Sequence, residues 1–335
     1  MSGESGERVE AAAPPPRVGV LGGGRMGAGI AHAFLLAGSS VTVVERDRDA
    51  AEAARGRVLH AVEGSIARGT TDEARATFEG RLAVGVDAAA FVGCGLVVEA
   101  VPEDARLKTE ALRRVEAALG GDRSASGGNE SSTAIASNTS SISIDELAAS
   151  LDRPNRFLGM HFFNPVPASD LVELVVGAAT DAALVTDAQE WVRAIGKTPA
   201  TVKNAPGFAS SRLGVALGLE AIRMLEDGVA SAEDIDAAMV LGYKHPVGPL
   251  RLTDLVGLDV RLGIADYLHE KLGPRFEPPA LLRRMVHDGD LGRKTGNGFY
   301  TWTTDTTPRT VAYCTKTGRD TTIWDGSRRG WKERR

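Results

Sequence analysis

From Arg17 onward, short runs of β-branched and aliphatic residues alternate with longer runs in which apolar residues recur at helical spacing. The predicted strands are RVGVLG, VTVVE, RLAVGV, GLVVEAV, RFLGMHF, LVELVVG and TPATVKN. The predicted helices include MGAGIAHAFLLAG, two charged stretches at 49–68 and 71–79, EDARLKTEALRRVEAAL, ISIDELAAS and 182–195. Strands that alternate with helices are joined by right-handed crossovers, so the pattern predicts an α/β fold with a doubly wound, mostly parallel sheet.

The pattern changes at Pro206, where strand signals stop and helical periodicity continues. The helices predicted beyond it are FASSRLGVALGLEAIRMLEDG, SAEDIDAAMVLG with a serine cap, LTDLVGLDVRLGIADYLHEKLG and PPALLRRMVHDG. We therefore expect a sheet domain over 17–205 and an all-helical domain over 206–302. Residues 1–16 are predicted to form a disordered leader, and 303–335 a polar, weakly basic and disordered tail.

Composition narrows the class of protein further. The chain has 335 residues, enough for two domains, and 39 basic against 44 acidic residues give a net charge of −5. This balance provides no overall attraction for nucleic acid or an anionic membrane. Cys94 and Cys314 lie far apart in the sequence and form neither a metal-ligand spacing nor the repeated cysteine pattern of a disulfide-rich protein. With no signal peptide and no membrane-spanning segment apparent, we expect a cytoplasmic protein without a metal site. The small, polar segment Gly120–Ser132 predicts a flexible loop.

A glycine-rich motif lies between the first predicted strand and the first predicted helix. Gly22, Gly24 and Gly27 fit the pattern G-x-G-x-x-G, with Arg25 and Met26 between them. Gly22 permits a tight turn, Gly24 lets backbone N–H groups approach a pyrophosphate, and Gly27 lets the helix pack against the strand. The helix N-terminus adds N–H donors and partial positive charge, so the motif predicts a Rossmann-type dinucleotide site.

An acidic residue follows at the spacing that this type of site requires. Glu45 ends the second predicted strand, 23 residues after Gly22. Its carboxylate is expected to accept hydrogen bonds from the ribose hydroxyls and to repel a 2′-phosphate, which favours NAD over NADP. Arg46, the next residue, keeps NADP open as an alternative because a guanidinium can bind that phosphate.

His161 and Glu173 are candidates for acid–base chemistry. His161 lies at the predicted carboxyl end of the strand RFLGMHF, and Glu173 follows twelve residues later in LVELVV. A neutral imidazole can take the proton of a substrate hydroxyl while a hydride leaves the same carbon, and a carboxylate can orient that imidazole. On chemistry alone, a structural histidine and a solvated glutamate remain equally open.

Eight motifs together resemble the L-3-hydroxyacyl-CoA dehydrogenase family, and in particular its bacterial 3-hydroxybutyryl-CoA dehydrogenases. They are GVLGGGRMGAGIA, VVEAVPEDARLK, SNTSS, HFFNPVP, LVELV, APGF, HPVGPLRLTDLVGLD and GRKTGNGFY, between Arg17 and Trp302. The resemblance implies an NAD-dependent oxidoreductase of fatty acid metabolism that interconverts a short-chain L-3-hydroxyacyl-CoA and its 3-oxoacyl-CoA. It also implies a homodimer formed through the helical domain.

The resemblance further implies roles for individual residues. It makes His161 the catalytic base, Glu173 its carboxylate partner, and Ser140 a contact of both substrate and cofactor. The implied cofactor contacts beyond the glycine motif and Glu45 are Glu103, Lys108, Asn164 and Lys294, and the implied substrate contacts beyond Ser140 are Asn164, Ser211 and Arg68.

One of these residues departs from the family pattern. Ser211 stands where the family usually has an asparagine that holds the reacting oxygen. A serine hydroxyl is a shorter donor, so the change predicts an effect on rate or substrate choice rather than on reaction type.

Two other functions remain open at this stage. The same fold could act on an acyl group carried by an acyl carrier protein, or on a free hydroxy acid. It could also bind NAD without catalysing a reaction. Turnover with acyl-CoA, acyl-pantetheine and acyl-carrier substrates separates these alternatives.

Overall fold

The computed structural model describes residues 13–120, 132–302, 309–310, 322–325 and 330–333. The chain divides into two compact units, Met1–Phe208 and Ala209–Arg335. Among the described residues, no helix combines the length and the apolar character needed to cross a membrane.

Two segments predicted to lack regular structure fall largely outside the described residues: the leader up to residue 12, and 121–131 of the predicted loop. The end of the predicted leader, by contrast, is bonded to the first unit. The carbonyl of Pro15 accepts a hydrogen bond from the Ser39 hydroxyl at 2.8 Å, and the carbonyl of Pro16 accepts one from the N–H of Ser40 at 2.8 Å. Residues 15 and 16 therefore belong to the folded unit.

The first unit contains an eight-stranded sheet. Its strands are β1 (Arg17–Leu21), β2 (Ser40–Val44), β3 (Leu82–Gly85), β4 (Leu96–Glu99), β5 (Ala134–Ser137), β6 (Phe157–Phe162), β7 (Leu171–Val176) and β8 (Thr198–Lys203). They are arranged in the order β3-β2-β1-β4-β5-β6-β7-β8. The β6–β7 pair is antiparallel and every other neighbouring pair is parallel. This sheet confirms the predicted fold class.

Helices cover both faces of the sheet. They are α1 (Arg25–Leu36), α2 (Arg48–Ala67), α3 (Arg75–Arg81), α4 (Ala105–Gly120), α5 (Ile144–Ala148) and α6 (Ala182–Ala194). Buried side chains of α1, α2 and α6 share one apolar cluster with the sheet, and those of α4 and α5 share the other. Two covered faces explain why the strands are nearly continuous apolar runs. The helix predicted from residue 71 begins only at Arg75.

The sheet order places a crevice at the carboxyl ends of the strands. Because β1 pairs with both β2 and β4, the chain reverses its direction of progress at β1. In open α/β sheets, ligands bind outside the carboxyl ends of the strands at such a switch point. The glycine-rich motif directly follows β1 and therefore lies at this crevice.

The second unit is built from helices around a separate apolar core. The helices are α7 (Ser210–Glu226), α8 (Ala232–Ala237), α9 (Pro249–Val256), α10 (Leu258–Leu272) and α11 (Ala280–Asp288). The predicted serine cap is present, since the Ser231 hydroxyl accepts a hydrogen bond from the N–H of Asp234 at 3.1 Å. The stretch LTDLVGLDVRLGIADYLHEKLG forms α9 and α10, because Gly257 between them has φ +105° and breaks the helix.

Short strands follow these helices. They are β9 (Tyr300–Thr301), β10 (Arg309–Thr310), β11 (Thr322–Asp325) and β12 (Gly330–Glu333). β9 pairs with β10, and β11 pairs with β12. The tail predicted to be disordered from residue 303 thus contains strands in its described part, and its other residues lie outside the description.

Candidate active site

The carboxyl edge of the sheet in the first unit gathers several of the predicted site residues. Because β1, β2, β4, β5 and β6 are mutually parallel, the residues at their carboxyl ends lie along one edge. Gly22 follows β1, Glu45 follows β2, and Glu99 ends β4. Asn138 follows β5, and His161 is the penultimate residue of β6.

The glycine-rich turn has the geometry that its sequence predicts. Gly22 has φ +92°, and its N–H donates to the carbonyl of Val44 at 2.8 Å. A Cβ at Gly22 would approach the carbonyl oxygen of Ala100 to 2.9 Å, and a Cβ at Gly27 would overlap the carbonyl oxygen of Gly22. Side chains are therefore excluded at Gly22 by backbone conformation and at Gly27 by close helix packing.

The N-terminus of α1 has the features of an anion site. Gly24 is the N-cap residue, and a Cβ built there would meet no atom within 4 Å. Among the described residues, none caps this helix with a side chain, and its first turn contains no acidic residue. The first N–H groups of a helix carry partial positive charge and need acceptors. Their exposure beside an unobstructed glycine fits a pyrophosphate.

Glu45 lies against the glycine-rich turn, as expected for a ribose-binding carboxylate. Its Oε1 accepts a hydrogen bond from the N–H of Gly23 at 2.8 Å, and its Oε2 accepts one from the N–H of Arg46 at 3.1 Å. The guanidinium of Arg46 is paired with Asp47 at 3.0 Å. A carboxylate facing the turn and a neighbouring arginine held by another acid together favour NAD over NADP.

Sequence reasoning missed one contact to this turn. The Nε of Arg57, on α2, donates a hydrogen bond to the carbonyl of Gly23 at 2.9 Å. Arg57 lies in a charged helical stretch, where no local pattern distinguishes it from its neighbours. The contact depends on how α2 packs beside α1 and β3, which spacing along the chain does not specify.

His161 and Glu173 form a buried pair. They are directly opposite each other in the antiparallel β6–β7 register, and Nδ1 of His161 lies 2.9 Å from Oε2 of Glu173. Only 5% of His161 and 1% of Glu173 is exposed to solvent. If Nδ1 carries the proton that Glu173 accepts, Nε2 is left as a proton acceptor. Nε2 has no hydrogen-bond partner among the described residues.

Two aromatic rings enclose this imidazole. The ring centroid of Phe163 is 4.4 Å from that of His161, and the centroid of Phe208 is 5.9 Å away. Phe208 has φ +49°, an unusual backbone conformation for a bulky residue, and follows Gly207 with φ +73°. The motif APGF was recognised in the sequence, but the contact between Phe208 and His161 was not. Strained residues of this kind concentrate at functional sites.

Ser140 lies in a turn that is held by Glu103. Oε1 of Glu103 accepts hydrogen bonds from the Thr139 hydroxyl at 2.7 Å, the Ser140 N–H at 2.8 Å, and the Ser141 N–H at 3.0 Å. Burial raises the pKa of the Glu103 carboxyl, but the Lys108 ammonium and these donors outweigh it and hold the pKa below its ordinary value. The hydroxyl of Ser140 has no partner among the described residues, so it remains available to a ligand.

Lys108 is buried beneath this turn, with only 1% of the residue exposed. Its Nζ lies 2.9 and 3.1 Å from the two carboxylate oxygens of Glu99, 3.1 Å from the carbonyl of Val101, and 3.4 Å from Oε2 of Glu103. The Ser137 hydroxyl donates a hydrogen bond to Oε2 of Glu99 at 2.5 Å. Burial raises the pKa of Glu99, and the Lys108 charge opposes that shift. Sequence reasoning did not identify Glu99 as a site residue. The available signal was an acidic residue at the end of the apolar run GLVVE.

Four further predicted residues lie on other segments of the chain. Asn164 is exposed in the segment after β6, and Arg68 is exposed at the end of α2, where its Nη2 donates to the Ser65 hydroxyl at 3.3 Å. Ser211 and Lys294 belong to the second unit. Ser211 is half-buried in the first turn of α7, and the Lys294 ammonium lies 2.5 Å from the carboxylate of Asp259.

No cluster of side chains suited to a metal ion occurs among the residues that the structure describes. The arrangement at the sheet edge instead combines a dinucleotide-type turn, a carboxylate beside it, and a buried imidazole–carboxylate pair. These are components of a hydride-transfer site.

Comparison with known proteins assigns both parts of the chain to one family. The model of the 3-hydroxyacyl-CoA dehydrogenase NAD binding domain matches residues 17–205, and the model of the 3-hydroxyacyl-CoA dehydrogenase C-terminal domain matches residues 207–302. Together the two matches cover nearly all of the residues between the leader and the tail.

Individual relatives agree with this assignment. A 3-hydroxybutyryl-CoA dehydrogenase of Mycobacterium tuberculosis is 42% identical over 289 residues, covering 85% of this chain and 98% of the relative. The mitochondrial hydroxyacyl-coenzyme A dehydrogenase of Rattus norvegicus is 38% identical over 292 residues, covering 84% and 90%. The crystal structure of (S)-3-hydroxybutyryl-CoA dehydrogenase from Ralstonia eutropha has a TM-score of 0.80 and 37% identity, covering 86% and 99%. The chain is thus an NAD-dependent oxidoreductase that belongs to the 3-hydroxyacyl-CoA dehydrogenase family.

Proposed function

We propose that this protein interconverts a short-chain L-3-hydroxyacyl-CoA, such as 3-hydroxybutyryl-CoA, and the corresponding 3-oxoacyl-CoA. The observation that carries the proposal is the buried His161–Glu173 pair at the same sheet edge as the glycine-rich turn. The relatives named for 3-hydroxybutyryl-CoA support the substrate class and the short chain.

In this proposal His161 is the general base and acid. With Nδ1–H donated to Glu173, Nε2 takes the proton of the C3 hydroxyl during oxidation and returns it during reduction. The Glu173 carboxylate fixes the tautomer and stabilises the imidazolium that forms. The rings of Phe163 and Phe208 limit the access of water to this imidazole, which strengthens its interaction with Glu173.

Other groups of this chain hold the reactants. The N–H groups at the start of α1 would bind the pyrophosphate, and Glu45 would bind the ribose hydroxyls. When bound, NAD supplies the acceptor for the hydride that leaves C3. The free hydroxyl of Ser140 is assigned to the reacting oxygen, together with Asn164 and Ser211.

The other assignments from the family resemblance are retained as part of this proposal. Glu103, Lys108 and Lys294 are assigned to the cofactor side, and Arg68 to the CoA phosphates. The exposure of Arg68 on α2 is compatible with binding an anionic group.

The test is the reduction of acetoacetyl-CoA by NADH, which is monitored by the loss of NADH absorbance. We expect turnover with NADH to exceed that with NADPH, and the short substrate to be preferred over a long-chain 3-oxoacyl-CoA. His161→Gln should lower kcat by about 10²–10⁴-fold, the usual contribution of a positioned acid–base group. His287→Gln, which changes an exposed histidine on α11, is the matched control.

Two results would contradict the proposal. Undiminished turnover in His161→Gln would show that His161 is not the general base. Tight NADH binding without acetoacetyl-CoA turnover would favour a carrier-bound substrate, a free hydroxy acid, or a protein that binds NAD without catalysis. Assays with acyl-pantetheine and acyl-carrier substrates separate these outcomes.

We also propose that the protein is a homodimer formed through its second unit. Large apolar side chains are far more exposed there than in the first unit: Leu213, Leu241 and Tyr243 are 70, 69 and 76% exposed, whereas Val86 of the first unit is 42% exposed. Exposed apolar groups favour burial against a partner. Light scattering should give twice the chain mass of 35.2 kDa, and a monomer at micromolar concentration would contradict the proposal.

A further inference from the structure

The lysine assigned to the cofactor side has its donors directed at protein acceptors. Nζ of Lys108 lies within 3.1 Å of both Glu99 oxygens and of the Val101 carbonyl. An ammonium group has three hydrogens, and these acceptors with Oε2 of Glu103 at 3.4 Å account for them. Among the described residues, Glu99 and Glu103 are the charged groups within ion-pair distance of Lys108. These protein groups therefore hold the ammonium of Lys108 in place.

Glu99 is the more deeply buried of these two acids. The Glu99 side chain is fully buried, whereas 39% of the Glu103 side chain is exposed. Its oxygens also accept hydrogen bonds from the Ser137 hydroxyl at 2.5 Å and the Val101 N–H at 2.6 Å. These contacts come from β5 and from the segment after β4, so the Glu99 carboxylate is fixed on several sides. It provides a rigid counter-charge for a flexible lysine.

The second acid connects this ion pair to the turn that carries Ser140. Oε2 of Glu103 faces Lys108, while Oε1 accepts the Thr139 hydroxyl and the Ser140 and Ser141 N–H groups. One carboxylate thus joins the buried lysine to three consecutive residues of the turn. The backbone of Ser140 is fixed, and its hydroxyl is left free for a ligand.

A parallel contact connects the start of this turn to the His161 strand. The N–H of Asn138 donates to the carbonyl of Glu99 at 2.8 Å, and Oδ1 of Asn138 accepts the N–H of Phe162 at 2.8 Å. Phe162 is the neighbour of His161 on β6. Asn138, which begins the segment carrying Ser140, is therefore bonded both to the end of β4 and to the strand that carries His161.

We propose that Glu99 is a positioning residue of the dehydrogenase site: it holds Lys108, which orients Glu103, which in turn fixes the Thr139–Ser141 turn and the hydroxyl of Ser140. This inference rests on the role of Ser140 in the proposed function. It assigns Glu99 no contact with substrate or cofactor. It gives Lys108 the role of central link between the two acids, in addition to its assignment on the cofactor side in the proposed function.

The first variant is Glu99→Gln, which keeps the shape of the side chain and removes its charge. Breaking one half of a buried ion pair leaves the other charge uncompensated and can unfold a protein. The second variant, Glu99→Gln combined with Lys108→Met, removes both charges together and avoids that penalty. The matched control is Glu116→Gln on α4, since Glu116 is 8% exposed and holds the N–H groups of Asp152 and Arg153 instead.

Two measurements are made on each full-length variant. The first is amide hydrogen exchange of the peptide covering 138–142, which needs no substrate. The second is the kinetics of acetoacetyl-CoA reduction. We expect exchange in this peptide to rise at least tenfold in both Glu99 variants, and kcat to fall about tenfold while the KM for acetoacetyl-CoA stays within twofold. Both quantities should match the wild-type values in Glu116→Gln.

The outcomes separate this inference from the function on which it rests. If the wild-type protein does not reduce acetoacetyl-CoA, the proposed function fails, while the exchange measurement still tests the link from Glu99 to the turn. A folded double variant with wild-type exchange and wild-type kcat would overturn the inference. Equal losses of kcat in Glu116→Gln would also overturn it, because the effect would then follow from any buried charge on this face of the unit.

Discussion

The two units each bury a carboxylate almost completely, but they satisfy it in different ways. In the first unit Glu99 is 0% exposed and is bonded to the Lys108 ammonium, the Ser137 hydroxyl and the Val101 N–H. In the second unit Asp254 is 1% exposed and has no cation within ion-pair distance among the described residues. Burial raises the pKa of both carboxyls.

The donors to Asp254 are all uncharged N–H groups. They are the backbone N–H groups of Phe299 and Tyr300, both at 2.9 Å, and Nε1 of Trp302 at 2.8 Å. These N–H donors hold the segment 299–302 in one position beside Asp254. A lysine between two acids can pass a displacement from one to the other. The difference teaches that the buried carboxylate of the second unit holds one local segment, whereas the one in the first unit is connected through Lys108 and Glu103 to the turn that carries Ser140.

The sharpest contrast comes from removing Asp254. In Asp254→Ala the three N–H donors become buried groups without an acceptor, and each such group costs about 1–3 kcal/mol. We expect the free energy of unfolding of the second unit to fall by about 3–5 kcal/mol, measured by urea denaturation with tryptophan fluorescence. Trp302 itself reports on the segment that Asp254 holds.

The control for this prediction is Asp288→Ala, an exposed aspartate at the end of α11. The free energy of unfolding of the Asp288→Ala variant should stay within about 0.5 kcal/mol of the wild-type value. A loss below about 1 kcal/mol in Asp254→Ala would break the comparison, because the N–H donors would then not depend on the carboxylate.

His32 tests a third arrangement, in which a buried titratable group has no counter-charge within ion-pair distance in the part of the chain that the structure describes. It is 2% exposed, its Nε2 lies 2.9 Å from the Ser65 hydroxyl, and its Nδ1 has no partner among the described residues. Burial, and then the charges of Arg68 and Lys197, lower the pKa of His32 from 6.5 to about 4. The folded protein therefore resists protonation of this ring.

The sign of the resulting pH dependence follows from that direction. Between pH 6.5 and pH 4 the unfolded chain binds a proton at His32 that the folded chain does not, so the stability falls as pH falls. From pH 7 to pH 4.5 we expect His32 to account for a loss of about 2 kcal/mol. The measurement is urea denaturation of the wild-type protein and His32→Gln at both pH values. An equal loss in the variant would show that other groups cause the acid sensitivity.

The sequence predicted what depends on local pattern and could not predict what depends on packing between distant segments. Gly22, Gly24, Gly27 and Glu45 follow from the alternation of strands and helices and from their spacing, and the family resemblance identified the histidine and its partner. The bonds of Glu99 to Lys108 and Ser137 join a strand end, a helix and a second strand. They were not predictable because each segment separately gives only an apolar run or a charged helix.

The helix break at Gly257 and the ring of Phe208 show the same limit. Apolar residues recur at helical spacing on both sides of Gly257, so the periodicity favoured one helix. The positive φ that ends α9 is a property of the folded chain. Phe208 was read as part of a motif, but its approach to His161 requires the chain to return to β6 after β8.

The smallest expected effect concerns Arg57, a charged side chain that donates a hydrogen bond to the main chain of the glycine-rich turn. Arg57 donates Nε–H to the carbonyl of Gly23, while Arg55 on the same helix donates Nη1–H to the carbonyl of Leu82, at 3.3 Å and away from the turn. One net hydrogen bond is worth about 1 kcal/mol, so Arg57→Gln should raise the Kd for NADH by about threefold to tenfold. In Arg55→Gln the Kd should be unchanged. Fluorescence titration with NADH measures both dissociation constants.

The same variant also tests the contrast between Glu99 and Asp254. Because the bond of Arg57 to the Gly23 carbonyl is local to the glycine-rich turn, amide exchange in the 138–142 peptide should remain at the wild-type value in Arg57→Gln. A rise there would mean that a hydrogen bond to an uncharged group transmits displacements as the ion pairs of Lys108 do, and the distinction between Glu99 and Asp254 would no longer hold.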